Sequence, residues 1–354
     1  MSEADNVRRW PADKRGVAEV WYTTWNDPKT SQGFWLRFIY KSPAPPRHRP
    51  ERSGFRAGAH GHPGPFGDAP FGELWFARFD PKNPSRSFGI HKRFSQVSLD
   101  DAPFEITIAG CKQGNAHTFG DLAGSGHDVR WDLRWEPGET MRWYPDVFYK
   151  RPIAESTALS PNPRVPLSGT LLVDGEEIVF DRVTAGQSHT WGRKYSLTWL
   201  WAHCNEFAGA PDTTLEIVAG RMQKRGIALP ALGTISLVLD GENCSLNGLS
   251  NLVRNRMRWQ VGSAQFRGSS LTTRIEGEFS CTPEQMINAP YFDADGEAAF
   301  CANTCIGSAK LTVYKRSGLR WVEHRRLSCS GRAHFEVGSR ERDPRATTPH
   351  VLVT

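Results

Sequence analysis

The residues best suited to chemistry lie in one segment, residues 186–207, with the sequence GQSHTWGRKYSLTWLWAHCNEF. A strand over residues 197–205 would place alternate side chains on one face. That face would combine two indoles with two neutral polar groups, as a pocket for an apolar ligand bearing a hydroxyl or ring oxygen requires. A tryptophan-rich core containing a hydrogen-bonded histidine would show the same pattern. The face is formed by Leu197, Trp199, Trp201, His203 and Asn205.

A second aromatic face is predicted near the N-terminus, where Glu19, Trp21, Thr23 and Trp25 alternate with smaller or polar residues. Trp21 would add an indole to a ligand pocket. Glu19 has two interpretations. Among aromatic rings, desolvation would keep its carboxyl group protonated and make it a proton donor. Near a strand end it would instead face solvent, as most glutamates do.

Common catalytic and metal-binding motifs are absent from the sequence. It contains no G-x-S-x-G, P-loop, G-x-G-x-x-G after a strand, or H-E-x-x-H motif. Cys301 and Cys305 lack partners at tetrahedral metal spacing, so we interpret them as thiols within a strand. His60 and His62 could bind a metal, but no acid or cysteine lies at ligand spacing, which favours a solvated loop. We therefore predict no cofactor and no metal.

The composition predicts an all-β protein of two barrel or sandwich units. The chain has 354 residues with 33 Gly and 24 Pro, which favours turns over long helices. Strand alternation is clear in residues 129–135, and Asp174-Gly175 and Asp240-Gly241 each separate two apolar runs as hairpin turns do. We place the units at 16–165 and 166–350, with a flexible loop at 43–70 and a linker at 151–166 rich in proline.

Charge and cysteine content restrict the partners and the compartment. Residues 41–66 carry five basic residues and one acid, but they form a Pro/Gly/His loop without the interleaved aromatics of a nucleic-acid surface. We therefore predict no nucleic-acid partner. The longest apolar stretch has only 14 residues, too short for a membrane span, although peripheral lipid contact stays open. Seven scattered cysteines without a C-x-x-C motif and a polar N-terminus indicate reduced thiols and a cytoplasmic location.

The segment 168–207 resembles the central block of tocopherol cyclase-like proteins. In that family a D-G hairpin leads to an N-W-G motif and then a W-x-W-x-x-C-N-x-F strand. The matching residues here are Trp191-Gly192, Trp199, Trp201, Cys204-Asn205 and Phe207. Further similarities are Glu19-x-Trp21-Tyr22, Arg225 to Pro230 with Gly233, Phe300 to Gly307 with Leu311, and Phe335 to Gly338. More distantly, SHTWG resembles the D-H-E-W-G motif of carotenoid 1,2-hydratase-like proteins and their pericyclase relatives.

This resemblance implies a tandem lipocalin-like fold with a ligand cavity, and chemistry on prenylated or polyene substrates. Such chemistry protonates an alkene and traps the cation, so it needs an acid in a dry pocket and aromatic faces. The sequence departs from these relatives in one respect. Ser188 and Thr190 occupy the two positions at which the D-H-E-W-G proteins have acidic residues. His189 alone retains proton-transfer capacity in this motif. Alternatively, another residue such as Glu19, Asp181 or Glu206 supplies the acid. A further possibility is that the reaction needs no acid, or that the protein only binds its ligand.

From these features we expect an isomerase or cyclase that acts on a small hydrophobic substrate, whether prenylated, polyene or polyketide-like. His189, Glu19 and Asn205 are the candidate catalytic residues. Trp21, Trp191, Trp199, Trp201 and His203 are the candidate ligand-binding residues. The alternatives are a non-catalytic carrier of a lipid or pigment, a hydratase or pericyclase, and a scaffold protein whose basic loops bind acidic partners. An enzyme would hold a donor and an acceptor within hydrogen-bond distance of each other, whereas a carrier would hold its polar residues singly.

Overall fold

The protein folds into two barrel-like antiparallel sheets, here called the N-terminal and C-terminal barrels. The computed structural model describes residues 3–45, 66–151, 154–224 and 227–353. The predicted all-β class with two units is confirmed. In the part of the chain that the structure describes, helices are limited to α1 (Glu3–Asn6), α2 (Val147–Lys150), α3 (Leu249–Arg254) and two short 3-10 turns (Pro84–Arg86 and Pro283–Gln285). Within the described ranges, no helix has the length and apolar character needed to cross a bilayer.

The N-terminal barrel follows the order β5-β6-β7-β8-β9-β11-β12-β1-β2-β3-β4, with β10 paired to β11. Every one of these pairings is antiparallel. Its strands are β1 (Val17–Asn26), β2 (Gly33–Ser42), β3 (Phe71–Phe79), β4 (Phe88–Phe94), β5 (Val97–Asp101), β6 (Phe104–Ile108), β7 (Cys111–Gly114), β8 (His117–Gly124), β9 (His127–Trp135), β10 (Met141–Arg142), β11 (Ser156–Val173) and β12 (Glu176–Gly192).

The C-terminal barrel follows the order β18-β17-β14-β13-β24-β23-β21-β20-β19, and β22 also pairs with β23. β15 and β16 form a separate two-stranded ribbon, and β25 pairs in parallel with both β22 and β4. The strands are β13 (Thr198–Cys204), β14 (Thr214–Arg221), β15 (Gln223–Lys224), β16 (Ile227–Ala228), β17 (Leu232–Leu239), β18 (Glu242–Asn243), β19 (Arg256–Gln260), β20 (Ser263–Ser269), β21 (Thr273–Ser280), β22 (Ile287–Phe292), β23 (Ala298–Ser317), β24 (Arg320–Ser339) and β25 (Thr348–Val353).

The predicted hairpins and the strand alternation are confirmed. Asp174 and Gly175 connect β11 to β12 with φ angles of 53° and 84°, and Asp240 and Gly241 connect β17 to β18 with 50° and 84°. Positive φ at both central residues gives the turn twist that suits a two-residue hairpin. β9 buries every second side chain, as its sequence predicts. All seven cysteines are free.

The chain passes from one barrel to the other at residues 193–197, not at the predicted boundary between 165 and 166. β11 runs continuously through that boundary, and it pairs with β9 on one side and β12 on the other. β12 in turn pairs with β1. The predicted linker at 151–166 is therefore mostly strand, because its prolines lie in a strand with register shifts that tolerate them. The proposed loop at 43–70 lies largely outside the described residues, and His60 and His62 lie there as well.

Apolar side chains fill three clusters. One fills the N-terminal barrel and includes Trp21 and Trp25. Another fills the C-terminal barrel and includes Leu200, Ala202 and Cys204. The third lies between the barrels and is rich in aromatic rings. Because β1, β2, β3 and β13 have one face in a barrel and the other in this third cluster, both faces of these strands are largely buried.

Candidate functional site

A cavity of about 680 Å³ lies between the two barrels. Aromatic side chains from both units form much of its wall. The N-terminal barrel supplies Tyr22 and Arg37. The segment that follows β10 supplies Trp143, Tyr144 and Phe148. The C-terminal barrel and its approach supply Tyr195, Trp199, Trp201, Tyr291 and Glu336. Ser188 and Thr190 also line the cavity, from the face of β12 opposite His189.

β13 places both predicted tryptophans on the cavity wall. Trp199 and Trp201 belong to the inter-barrel cluster, while the intervening Leu200 packs inside the C-terminal barrel. The period-two assignment of the faces is therefore correct. Gly338 on the neighbouring β24 leaves room for this arrangement, because a Cβ there would lie 2.0 Å from the ring of Trp199.

Glu336 is the centre of a buried polar cluster at the cavity. Its carboxylate accepts hydrogen bonds from Trp199 Nε1 at 3.0 Å, Tyr291 OH at 3.1 Å and Asn303 Nδ2 at 3.1 Å. Arg37 Nη2 donates to it at 2.9 Å. Burial favours the neutral acid, but Arg37 and the hydrogen bonds outweigh burial and keep the pKa of Glu336 below its usual range. Glu336 is therefore an ionised acceptor at neutral pH.

Arg37 is held in a cage of aromatic rings. Its guanidinium carbon lies 4.2 Å from the ring centre of Tyr22, 4.7 Å from that of Trp35 and 5.1 Å from that of Tyr291. Nη1 donates to Tyr291 OH, whereas Nε has no hydrogen-bond partner among the described residues. A buried cation with one unused donor can bind a carbonyl or enolate oxygen of a ligand.

The tyrosines on the cavity wall keep their phenolic protons at neutral pH. Burial raises the pKa of Tyr22, Tyr195 and Tyr291 well above the usual value of a phenol. The nearby Arg37 opposes this increase in each pKa but does not cancel it. At neutral pH these side chains therefore remain neutral. Tyr291 gives its one proton to Glu336, whereas Tyr22 and Tyr195 can donate a hydrogen bond to an oxygen in the cavity.

A second buried carboxylate, Glu216 on β14, lies behind the wall. It accepts hydrogen bonds from Trp201 Nε1 at 3.0 Å and Ser160 Oγ at 2.7 Å, and it lies 2.9 Å from His203 Nδ1. Ser160 Oγ also lies 3.3 Å from Ser188 Oγ. Because the single proton of Ser160 goes to Glu216, Ser188 must be the donor in the contact between the two serines. Hydroxyls thus connect Glu216 to a residue that lines the cavity.

Two buried histidines extend this cluster. His203 and His334 have ring centres 5.7 Å apart. His334 Nε2 contacts Asn26 Oδ1 at 2.6 Å, while His203 Nε2 and His334 Nδ1 have no partner among the described residues. Burial lowers the pKa of His334 well below its usual value, and the neighbouring His203 lowers it further. His334 is therefore neutral at physiological pH.

Two of the predicted catalytic residues, Glu19 and His189, contact each other, but they do not line the inter-barrel cavity. Glu19 Oε2 lies 3.0 Å from His189 Nε2, and both side chains are fully buried. The backbone amides of Arg9 and Trp10 donate to the Glu19 carboxylate, and Asp5 O contacts His189 Nδ1 at 2.8 Å. The interpretation of Glu19 as a solvent-facing acid is wrong, because the N-terminal segment covers it.

Most of the other predicted residues also lie away from the cavity wall. Trp21 stacks on His189 with ring centres 4.8 Å apart. Trp191 lies beneath the Arg9 guanidinium. Asn205 donates to the carbonyl groups of Pro163 and Ala185.

The alternative acids lie elsewhere as well. Asp181 is exposed. Glu206 pairs with Arg332 at 2.8 Å, and burial raises its pKa despite this cation. Of the eight predicted site residues, Trp199 and Trp201 line the cavity, and His203 reaches it through Glu216.

The sequence reasoning missed Arg37, Glu216 and Glu336, although the sequence carries a signal for each. Arg37 lies within GFWLRFIY, Glu216 within TLEIVA and Glu336 within AHFEVG. A charge inside a strand that is apolar on both sides of it indicates burial on both faces, so the side chain must have a partner.

One group of acids among the described residues has the spacing of a metal site: Asp293, Asp295 and Glu297. Lys194 contacts Asp295 and Glu297 at 2.8 and 2.9 Å, and Arg340 contacts Asp293 at 2.9 Å. Each of the three acids is thus already paired with a cation, so the arrangement does not favour a divalent ion.

Similarity to known proteins agrees with this architecture. Residues 165–339 match the family described as Tocopherol cyclase-like. No curated protein matches the chain significantly. A protein of Nitrosomonas europaea provisionally named AttH is similar in structure, with a TM-score of 0.51, 15% identity and coverage of 94% of both chains.

Two structures of CghA are also similar. The first has a TM-score of 0.51 and 11% identity and covers 91% of this chain and 88% of that one. The structure of CghA with Sch210972 has a TM-score of 0.50 and 11% identity and covers 92% and 89%. These structural likenesses concern the fold. The similarity to the tocopherol cyclase-like family is carried by the family match, which covers residues 165–339 of this protein.

Proposed function

We propose that the protein is an isomerase or cyclase that binds a small hydrophobic substrate, prenylated, polyene or polyketide-like, in the cavity between its barrels. One observation carries the proposal: an aromatic cavity contains clustered donors and acceptors. Tyr291, Arg37 and Glu336 lie within hydrogen-bond distance of one another at its wall. A carrier would hold such groups singly, because each buried polar group lowers the affinity for an apolar cargo.

The cavity suits substrate folding. A volume of about 680 Å³ lies within the usual range for small-molecule sites. Trp199, Trp201 and Trp143 provide rigid apolar faces that would hold a flexible chain with its reacting atoms close together. Faces of this kind also stabilise a developing carbocation through the ring quadrupole.

Proton transfer would run through hydroxyls rather than through His189. A substrate proton passes to Ser188 Oγ as Ser188 gives its own proton to Ser160, and Ser160 passes its proton to Glu216. The reverse sequence returns a proton to a different substrate atom, so the enzyme is unchanged and the product is an isomer. Glu216 thereby supplies the carboxylate that is missing from positions 188 and 190. Arg37 and Tyr22 would stabilise negative charge on a substrate oxygen.

The test begins with native mass spectrometry of freshly purified protein, followed by extraction and identification of any bound compound. The recovered compound, or a panel of prenylated phenols and polyenes, is then incubated with the protein and analysed by chromatography and mass. An isomerase or cyclase yields a product of the same mass with a new retention time. A product heavier by one water indicates a hydratase, and a bound compound that is recovered unchanged indicates a carrier.

Ser188→Ala and Glu216→Gln are the matched variants for this assay. Both should retain binding and reduce turnover at least tenfold, because each interrupts the hydroxyl path. Full turnover in both variants would contradict the proposed path.

A further inference from the structure

Exposed apolar side chains surround the mouth of the inter-barrel cavity. Ile227 on the ribbon is 69% exposed, and Leu249 and Val253 on α3 are 62% and 60% exposed. Met222, Leu229 and Leu232 are also exposed, and these three line the cavity itself. Scattered exposed apolar residues are ordinary, whereas a group of six around one opening marks an interaction surface.

Two short elements hold these side chains in place. The ribbon β15–β16 closes with the amide of Leu229 donating to Met222 O at 2.8 Å. α3 anchors through Leu252, which is buried and lines the same cavity. Leu249 and Val253 are four residues apart and therefore share the outer face of that helix. We define the mouth surface as Met222, Ile227, Leu229, Leu232, Leu249 and Val253.

The two chain segments that carry the mouth surface hold charge of one sign. Residues 221–230 and 248–258 contain basic residues and neither Asp nor Glu. Arg221, Arg254 and Arg256 are exposed there. An apolar group whose own segments carry only cations matches the interfacial region of a membrane containing anionic lipids, where apolar side chains enter the acyl boundary and cations meet headgroups.

We propose that the mouth surface docks on an anionic lipid bilayer and opens the inter-barrel cavity toward it. Self-association through this face would bring like charges together, which opposes a dimer. The inference rests on the proposed function only in that the cavity accepts a hydrophobic compound. Docking on the bilayer would let such a compound enter without crossing water.

The experiment is co-sedimentation with vesicles of phosphatidylcholine alone, or of phosphatidylcholine with phosphatidylglycerol. We expect the full chain to bind the anionic vesicles, and binding to fall as salt rises. Leu249→Ser/Val253→Ser should weaken vesicle binding at least tenfold. Phe119→Ser/Val179→Ser, at sites on β8 and β12 of the N-terminal barrel that are 41% and 54% exposed, should leave it unchanged.

Three outcomes would overturn the proposal: no vesicle binding by the full chain, an equal loss in both double variants, or a dimer in sedimentation velocity that Leu249→Ser/Val253→Ser dissociates. Affinity for a fluorescent polyene in detergent-free buffer is measured in parallel. It should be the same in the full chain and the mouth variant, since neither residue lines the cavity among the described residues. Failure of docking and failure of ligand binding are thus separate results.

Discussion

The indole Nε1 of Trp199 donates a 3.0 Å hydrogen bond to Oε1 of Glu336, and this links the aromatic wall of the cavity to its buried carboxylate. The same carboxylate pairs with Arg37 from the other barrel at 2.9 Å. One acid therefore fixes a cavity-facing ring and joins the two units. Changes at Glu336 should affect the stability of the inter-barrel contact as well as the cavity.

Glu336→Gln should lower the free energy of unfolding by about 3–5 kcal/mol, because it leaves the Arg37 cation buried without its counter-charge. The measurement is urea unfolding followed by tryptophan fluorescence. Arg37→Met should cost a similar amount, and the double variant should be more stable than the sum of the two losses predicts. Additive losses would show that the two side chains are not coupled.

Trp201 should contribute to ligand affinity directly. Trp201→Ala removes a ring that contacts Tyr22 and Trp143, and it should weaken binding of a fluorescent polyene by about 1–3 kcal/mol. Trp201→Phe keeps a ring but removes the donor to Glu216, so it should cost about 1–3 kcal/mol of stability while binding changes little. If Trp201→Ala binds the polyene normally once folded, the residue is ordinary core.

Ser188 and His189 are neighbours on opposite faces of β12, so they form a matched pair. Ser188 lines the cavity, whereas His189 lies under the N-terminal segment beside Glu19. Ser188→Ala should reduce turnover and barely change the thermal midpoint. His189→Gln should lower the midpoint and leave turnover per folded molecule intact. The opposite result would place the proton transfer at the Glu19–His189 pair.

Alternation along single strands made much of the fold predictable. The faces of β9 and β13 and both Asp-Gly turns follow from local sequence, because period two and turn chemistry act over a few residues. The prediction of a boundary between units at 165/166 was wrong because it also relied on a local signal. Proline content reports on a few neighbouring residues. The pairing of β11 with β9 is a long-range contact, which local composition does not predict.

The site was harder to predict because it lies between units. Glu19 and His189 are adjacent across β1 and β12, and their motifs drew attention to them, yet the N-terminal segment covers both. Arg37 and Glu336 are 299 residues apart and meet only after the two barrels pack. No spacing rule within one segment can predict such a pair.

A further buried cluster controls acid stability. Glu73 accepts hydrogen bonds from Lys41, Trp75 and Arg93 at 3.0, 2.9 and 3.1 Å. Burial opposes ionisation of Glu73, but Lys41 and Arg93 lower its pKa to about 2. His91 stacks on Trp75 at 4.2 Å. Burial lowers the pKa of His91 to about 3, because Lys41 and Arg93 offset the opposing attraction of Glu73.

Both pKa values are lower in the folded protein than the ordinary values of 6.5 for His and 4.5 for Glu, so the unfolded chain binds more protons on acidification. The free energy of unfolding should therefore fall from pH 6.5 downward through His91, and below pH 4.5 through Glu73 as well. Each group contributes a slope of at most about 1.4 kcal/mol per pH unit. His91→Gln should remove its share of the slope between pH 6.5 and 4.5, measured by urea unfolding at several pH values. His324→Gln, at an exposed position, is the matched control and should leave the slope unchanged. Equal slopes in the His91 variant and the unmodified protein would contradict a neutral, buried His91.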